Sequence, residues 1–224
     1  MAETVQIVSS GAHLVVLRKE PGVPSQPDPS GDPSALEIAG SMLGVRLHPV
    51  HRIDRPASGL LIAAASSGAA ATLSAMLREG TVERRYWAIV EGVIATADDG
   101  RLEHRLRTNK RTNRSYIDPR GRPAVLTWRV RRRGDRYTLV EVALETGRHH
   151  QIRAQLAAAI APIRGDLKYG ARRSQPGGGI ALHAVGLRLA HSADGRTLTF
   201  MAPPPDDRLW NALADGLEPG FSSP

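Results

Sequence analysis

The sequence predicts an α+β fold in which strands outnumber helices and do not alternate with them regularly. Residues 36–43 and 69–77 have the apolar spacing of helices, whereas residues 125–144 predict two strands in direct succession. Regular alternation would favour a parallel-sheet fold, so this irregular order favours an α+β fold instead. No repeat or linker is visible in the sequence, and we expect a single domain over residues 1–215 followed by a disordered, frayed tail over residues 216–224.

Three strands are predicted in the first half of the chain. Residues 13–19 (HLVVLRK), 59–65 (GLLIAAA) and 85–91 (RYWAIVE) are rich in β-branched, aliphatic or aromatic side chains. The middle segment is apolar throughout, which is typical of a strand buried on both faces. Residues 21–33 are rich in Pro, Gly, Ser and Asp and therefore predict a loop.

Two helices are predicted between these strands. Asp32 followed by Pro33 suits an N-cap and a first helical position, and this helix is expected to end at Gly44. Ser66 or Ser67 can cap the second helix, because a serine hydroxyl accepts a hydrogen bond from a free N–H of the first turn.

The second half of the chain is more irregular. Residues 98–123 are polar and basic and predict loops or short strands, whereas residues 125–130 and 136–144 predict a hairpin. The remaining predicted elements are a helix from about residue 149 and strands over residues 182–189 and 197–201.

Positive charge is concentrated in one segment. The chain has a net charge of +8, and residues 101–133 contain twelve Arg or Lys against two acidic residues, so the rest is slightly acidic. Such a segment suits the phosphates of a nucleic acid, which the planar arginine fork binds well. A solvated basic surface would have the same composition. Within the segment, Arg107, Lys110 and Arg111 are our candidate nucleic-acid contacts.

The composition excludes several classes of site. There is no cysteine, so neither a disulfide framework nor a thiolate metal site is possible. The first ten residues lack the basic and apolar regions of a signal peptide. The longest apolar run, residues 60–65, is far shorter than the roughly 20 residues of a membrane-spanning helix. We therefore expect a cytoplasmic protein without membrane association.

Asp54, within residues 51–61 (HRIDRPASGLL), is the first candidate for catalysis. It stands between Arg52 and Arg55, directly before a predicted buried strand, and nearby positive charge favours the ionised carboxylate. An ionised carboxylate at a cleft edge can act as a nucleophile or general base. A structural ion pair at the entrance of a strand has the same pattern, so the residues alone leave both interpretations open.

A second candidate is residues 146–153 (TGRHHQIR), which are predicted to open a helix whose free N–H groups suit an anion. Arg148 and Arg153 are five residues apart, so they are expected to serve different partners, one phosphate and the other a carboxylate. A helix with a polar face is the alternative. His149 and His150 do not predict a metal site, because adjacent helical histidines point apart and no third ligand follows at a useful spacing.

A third candidate is Tyr86, within residues 84–92 (RRYWAIVEG). A tyrosine beside arginines can stack on an unpaired RNA base. Tyr86 or Trp87 could equally pack in the core, as most aromatic residues of strands do.

These segments resemble the signature motifs of RluA-type pseudouridine synthases. Residues 51–61 look like the family's HRLDxxTSGLL, and residues 86–92 resemble its Y-x-A-x-V-x-G. Residues 147–153 are similar to G-R-x-H-Q-[IL]-R, residues 165–170 to G-D-x-x-Y-G, and residues 182–184 to L-H-A. The blocks occur in the family's order, which makes the resemblance far more specific than any one block.

The resemblance implies a fold and an activity. The fold is the pseudouridine synthase catalytic fold, a mixed, largely antiparallel central sheet with flanking helices and an active-site cleft. The activity is the isomerisation of specific uridines to pseudouridine in a structured RNA, either ribosomal RNA, above all of the large subunit, or tRNA. No cofactor and no metal is implied. The alternative is a non-catalytic RNA-binding protein on the same fold.

The resemblance also assigns roles to residues. Asp54 corresponds to the catalytic Asp, Tyr86 to the active-site Tyr, and Arg153 to the Arg that pairs with the Asp. The expected RNA-binding residues are Arg52, Arg55, Arg148, His149, Gln151, Arg107, Lys110 and Arg111.

The chain departs from the family pattern in places. Ala57 stands where the family has Thr, and residues 18–22 read RKEPG instead of N-K-P-x-G. Because the chain begins almost at the catalytic domain, no N-terminal S4 RNA-binding domain is expected. We further expect a monomer, since a basic RNA-binding surface discourages self-association.

Overall fold

The computed structural model describes residues 4–95, 97–175, 178–190 and 196–221. The chain divides into two compact units, one of residues 1–84 and 183–205 and the other of residues 85–182 and 206–224. The single domain expected over residues 1–215 stays a prediction.

In chain order the strands are β1 (Val5–Ser10), β2 (Val15–Lys19), β3 (His48–Pro49), β4 (Ser58–Ala64), β5 (Val82–Glu91), β6 (Asp99–Asn109), β7 (Arg114–Ile117), β8 (Arg122–Arg133), β9 (Tyr137–Leu144), β10 (Leu182–Ala190) and β11 (Thr197–Met201). The helices of the described residues are α1 (Ala35–Leu43), α2 (Ser67–Glu79), α3 (Gln151–Ala159) and α4 (Arg208–Ala214), and a 3-10 turn covers Leu167–Tyr169.

In the first unit, β1, β2, β4 and β10 lie side by side in that order. The β1–β2 and β2–β4 pairs are antiparallel and the β4–β10 pair is parallel. The short β3 pairs with β4, and β11 pairs with β10, both antiparallel. In the second unit, β5, β9, β8, β6 and β7 form an antiparallel series. The predicted α+β class with mixed, largely antiparallel pairing is confirmed.

Strand β4 explains why residues 59–65 are apolar throughout. Successive side chains of a strand point to opposite faces. Leu61 and Ala63 pack in a core with α1, whereas Leu60 and Ile62 pack in a second core with α2. The strand that follows Asp54 is therefore buried on both faces, which fixes the place where the Asp54 segment enters the sheet.

The predicted N-cap of α1 at Asp32 is wrong. Ser34 caps the helix: its hydroxyl accepts from the N–H of Glu37, and the Glu37 carboxylate accepts from the N–H of Ser34. This reciprocal capping box satisfies two free donors, which Asp32 could not match from two residues earlier. The predicted cap of α2 is confirmed at Ser66.

The prediction of loops or short strands over residues 98–123 is wrong for β6 and the start of β8, and holds for β7, which has four residues. Strand β6 has eleven residues, and β8 begins at Arg122 and pairs with β6 over eight positions. The alternation of β6 is hidden in the sequence because polar side chains occupy both of its faces. Pairing with β8 thus determines a strand that the polar residues do not predict.

The chain beyond residue 205 belongs to the second unit. Helix α4 was not predicted; Asp207 caps it, and its buried residues include Trp210 and Leu213. After it, Gly220 donates its N–H to Glu141 at 2.9 Å and accepts from Arg85 at 2.7 Å. The frayed tail predicted over residues 216–224 remains a prediction, and residues 222–224 lie outside the described residues. Among the described helices, none is long and apolar enough to cross a membrane.

Gly59→Ala is expected to destabilise the protein by about 3 kcal/mol. Gly59 has a φ of +110°, and a Cβ there would lie 2.4 Å from the carbonyl oxygen of Ala184 on the paired strand β10. Urea unfolding measures the loss. Gly68→Ala on α2 is the control, since a Cβ at Gly68 meets no atom within 4 Å. Equal free energies of unfolding for Gly59→Ala and Gly68→Ala would contradict the prediction.

Candidate active site

Asp54 lies in a tight turn directly before β4. Its carbonyl oxygen accepts from the N–H of Ala57 at 2.9 Å, and its side chain is half-buried. The preceding residue, Ile53, is buried and is held by Ser25, whose hydroxyl donates to the Ile53 carbonyl at 2.7 Å and accepts from its N–H at 3.2 Å. The backbone on both sides of Asp54 is therefore fixed, while the residue itself stays partly exposed.

The buried side chain of Lys19, at the end of β2, forms hydrogen bonds with the same turn. Its side chain is 0% exposed, and Nζ donates to the carbonyl oxygens of Glu20 (3.2 Å), Arg55 (3.2 Å) and Ala57 (2.5 Å). Three acceptors match the three donors of an ammonium group. Burial lowers the pKa of Lys19 to about 7, although the nearby charge of Asp54 acts in the opposite direction. The sequence did not single out Lys19 because its partners are distant in the chain.

The two arginines around Asp54 differ in their surroundings. Arg52 is exposed. Arg55 donates to the carbonyl of Gly22 at 2.8 Å and forms an ion pair with Asp32. The described contacts of Arg55 thus tie the Asp54 turn to the loop of residues 21–33, and its RNA contact stays a prediction.

Two histidines of the motif blocks, the half-buried His51 and the buried His183, have strongly lowered pKa values. His51 Nε2 accepts from the N–H of Ile62 at 3.0 Å, and burial lowers its pKa to about 3. His183 bonds Ser58 through Nδ1 at 2.8 Å and the carbonyl of Ala202 through Nε2 at 3.1 Å, and burial lowers its pKa likewise to about 3. Both side chains form hydrogen bonds with β4, and His183 also bonds the carbonyl of Ala202.

In the second unit, Arg153 forms a buried ion pair with Asp166. Nε donates to Oδ2 at 2.7 Å and Nη2 donates to Oδ1 at 2.8 Å, and the two residues are 4% and 1% exposed. The guanidinium carbon also lies 5.0 Å from the ring centroid of Tyr169. Asp166 was part of the G-D-x-x-Y-G block but was not among the predicted site residues.

His149 and His150 precede α3 and do not point apart as predicted. Their rings stack with centroids 3.8 Å apart. The prediction failed because neither residue is helical: His150 is the N-cap in the left-handed region, with a φ of 52°. A non-glycine residue keeps this conformation only where its surroundings impose it. Across the described part of the chain, no three His, Asp or Glu side chains gather as a metal site.

Gln151 and Arg148 bind the protein at the start of α3. Gln151 Oε1 accepts from the hydroxyl of Thr146 and the N–H of Arg148, and its Nε2 donates to the carbonyl of Val125 at 3.0 Å. Arg148 donates from Nε to the carbonyl of Pro123 at 2.8 Å. Arg148 and Arg153 therefore have different partners, as predicted, and the RNA contacts of Arg148, His149 and Gln151 stay predictions.

Tyr86 is 6% exposed on β5, opposite Val142 of β9. Its neighbour Trp87 points to the other face, where Nε1 donates to Glu141 at 3.0 Å. Trp87 is thus a core residue. The stacking of Tyr86 on a base stays a prediction.

The predicted basic residues lie on a hairpin formed by β6 and β7, residues 99–117, which we call the basic hairpin. Lys110 and Arg111 are exposed at its tip and form no ion pair within the described residues. Arg107 is exposed and lies 3.6 Å from the carboxylate of Asp118. Unpaired arginine and lysine side chains are suited to phosphate.

Lys19 is expected to make stability depend on pH between about 7 and 10.5. In that range the unfolded chain binds a proton that the folded chain lacks, so the free energy of unfolding rises with pH. Relative to Lys19→Met, the wild type should gain about 2 kcal/mol between pH 7 and pH 9. Urea unfolding at both pH values measures the gain. A constant difference between the two proteins would show that folding leaves the pKa of Lys19 unchanged.

Comparison with known proteins places these residues in a family context. The family model described as RNA pseudouridylate synthase matches residues 13–158, which include Asp54, Tyr86 and Arg153. An uncharacterized RNA pseudouridine synthase of Bacillus subtilis, YlyB, is 41% identical over 159 residues, 70% of this chain and 52% of that protein. A second from the same organism, YjbO, is 34% identical over 224 residues, 92% of this chain and 76% of that protein.

The name of a third relative states the RNA on which that relative acts. The ribosomal large subunit pseudouridine synthase D of Haemophilus influenzae is 37% identical over 188 residues, 75% of this chain and 57% of that protein. The chain thus spans little more than half the length of several relatives that it matches.

Solved structures show the same fold. The human protein titled RNA Pseudouridylate Synthase Domain Containing 1 has a TM-score of 0.74 at 23% identity, covering 93% of this chain and 86% of that chain. The human protein titled RNA Pseudouridylate Synthase Domain Containing 4 has a TM-score of 0.71 at 23% identity, covering 91% of this chain and 89% of that chain. With the family match and the sequence relatives, the chain belongs to the RluA-type family of RNA pseudouridine synthases.

Proposed function

We propose that the protein isomerises specific uridines to pseudouridine in a structured RNA, with Asp54 as the catalytic carboxylate. The observation that carries the proposal is the setting of Asp54: a half-buried carboxylate on a turn whose backbone is fixed by Lys19 and Ser25. A carboxylate that is held rigidly but reachable suits covalent or general-base chemistry. The family match over residues 13–158 supports the same assignment.

The reaction breaks the N1–C1′ bond of uridine, rotates the base and forms the C5–C1′ bond. C5 then loses its proton to solvent and N1 takes up a proton, so the product is an isomer of the substrate. Such chemistry requires the uridine to leave its stack, which costs a few kcal/mol and least where the base is already unpaired. Tyr86 is proposed to contact the uracil and Arg52 to hold the displaced nucleotide. The pairing of Arg153 with Asp54 that the resemblance implies remains a prediction.

The proposed substrate is ribosomal RNA of the large subunit, with tRNA as the second candidate. The name of the Haemophilus influenzae relative supports the first choice. The proposed contacts are Arg52, Arg55, Arg148, His149 and Gln151, together with Arg107, Lys110 and Arg111 of the basic hairpin. The proposed location is the cytoplasm, where such RNA is found, and the proposed state is a monomer.

Tritium release from RNA labelled at uridine C5 tests the proposal. Purified protein is incubated with bulk ribosomal RNA and with bulk tRNA from a strain that lacks the gene. Release from one pool establishes the activity and the RNA class. RNA binding without release from either pool would favour the alternative, a non-catalytic RNA-binding protein on the same fold.

A further inference from the structure

Tyr169 ends the 3-10 turn of the G-D-x-x-Y-G block and is buried, with 5% exposure. Its hydroxyl accepts from the N–H of Ser115 at 2.9 Å, donates to the Ser115 carbonyl at 3.1 Å, and lies 3.0 Å from Nδ1 of His150. A phenol has one proton, so if Tyr169 donates to Ser115, the matching tautomer of His150 carries its hydrogen on Nδ1 and donates to Tyr169. One hydroxyl thereby joins β7 of the basic hairpin to the N-cap of α3.

The ring of Tyr169 joins the same two regions a second time. The guanidinium carbons of Arg114 and Arg153 each lie 5.0 Å from its centroid. This distance is within the range of cation–π attraction. Arg114 is exposed on β7, whereas Arg153 is buried. A single aromatic ring thus contacts one arginine that RNA can reach and one that is proposed to act in catalysis.

The residue before Tyr169 reinforces this link. Lys168 Nζ donates to the carbonyls of Asn113 at 3.2 Å and Thr112 at 3.4 Å, at the tip of the basic hairpin. Two residues earlier, Asp166 holds the guanidinium of Arg153. Within residues 166–169, the side chains of Lys168 and Tyr169 therefore contact the basic hairpin. The side chains of Asp166 and Tyr169 contact Arg153.

We propose that Tyr169 is a positioning residue that couples RNA binding by the basic hairpin to the placement of Arg153. The inference rests on the proposed function and extends it to the control of the site. A phosphate that binds Arg114 fixes this side chain against the ring, and the ring in turn fixes Arg153 and the strained His150. RNA that engages the hairpin would then react faster than RNA that is merely bound.

Single-turnover kinetics at saturating RNA test the coupling. Arg114→Ala should lower the rate constant about fivefold in the wild-type background, the effect of losing one cation–π contact. In the Tyr169→Leu background, where the ring that contacts both arginines is absent, Arg114→Ala should lower it less than about twofold. Additive effects of the two substitutions would overturn the proposal, because a merely structural Tyr169 would leave the effect of Arg114 unchanged.

Arg120→Ala is the matched control. Arg120 is exposed in the same basic segment but outside the basic hairpin, and its described ion-pair partner is Asp118. Its saturating rate constant should equal that of the wild type. An equal loss for Arg114→Ala and Arg120→Ala would also overturn the proposal, and this comparison does not require Tyr169→Leu to fold.

Hydrogen exchange separates this proposal from the proposed function. RNA binding should slow amide exchange over residues 150–154 in the wild type, and Arg114→Ala should remove this slowing while RNA remains bound. The measurement needs no turnover, so a protein that binds RNA without releasing tritium would refute the proposed function alone. Equal slowing in wild type and Arg114→Ala would refute the coupling alone.

Discussion

Asp54→Asn is expected to lower turnover at least about a thousandfold while leaving RNA affinity nearly unchanged. The substitution keeps the size of the side chain and removes its charge, so nucleophilic attack and proton removal are both lost. The turn itself should survive, because the backbone, Lys19 and Ser25 supply hydrogen bonds that fix it. Single-turnover tritium release and filter binding on the same RNA measure the two quantities.

Asp32→Asn is the matched control for this substitution. Asp32 is an exposed acid that pairs with Arg55, the residue directly after Asp54. The control therefore removes a carboxylate from the same charged surroundings without touching the proposed reacting atoms. Parallel losses of binding and turnover in Asp54→Asn would contradict the catalytic assignment and indicate a role in RNA binding or folding.

The sequence predicts the first unit well because its elements are defined by local signals. The apolar run of β4 and the serine and glycine that bound α2 are each visible within a few residues. The same holds for Asp54, whose position between two arginines and before a buried strand singles it out. The exact cap of α1 failed, because the choice between Asp32 and Ser34 depends on which one meets Glu37. Strands β1 and β3 were not predicted.

The supporting residues of the candidate site were missed because their contacts are distant in the chain. Lys19 binds carbonyls 36 and 38 residues away, and nothing in the segment around it indicates a buried ammonium group. Asp166 pairs with Arg153 across 13 residues. The motif comparison places Asp166 and Tyr169 in one block, but only the structure shows that both side chains contact Arg153.

Asp166→Asn is expected to lower the free energy of unfolding by about 3 kcal/mol, the usual effect of removing one partner of a buried ion pair. Arg153 would keep its charge in a buried position and lose the carboxylate to which it donates two hydrogen bonds. Urea unfolding measures the loss. Asp32→Asn is the control, because Asp32 and its partner Arg55 are both exposed, and such pairs contribute less than about 1 kcal/mol.

The double variant Arg153→Met/Asp166→Leu separates stability from activity. Removing both charges leaves no uncompensated ion in the core, so stability should return to within about 1 kcal/mol of the wild type. Turnover should stay as low as in Arg153→Met alone if Arg153 acts in the reaction. Recovery of stability and turnover together would instead mean that the pair serves only the fold, and that the charge of Arg153 is not needed for the chemistry at Asp54.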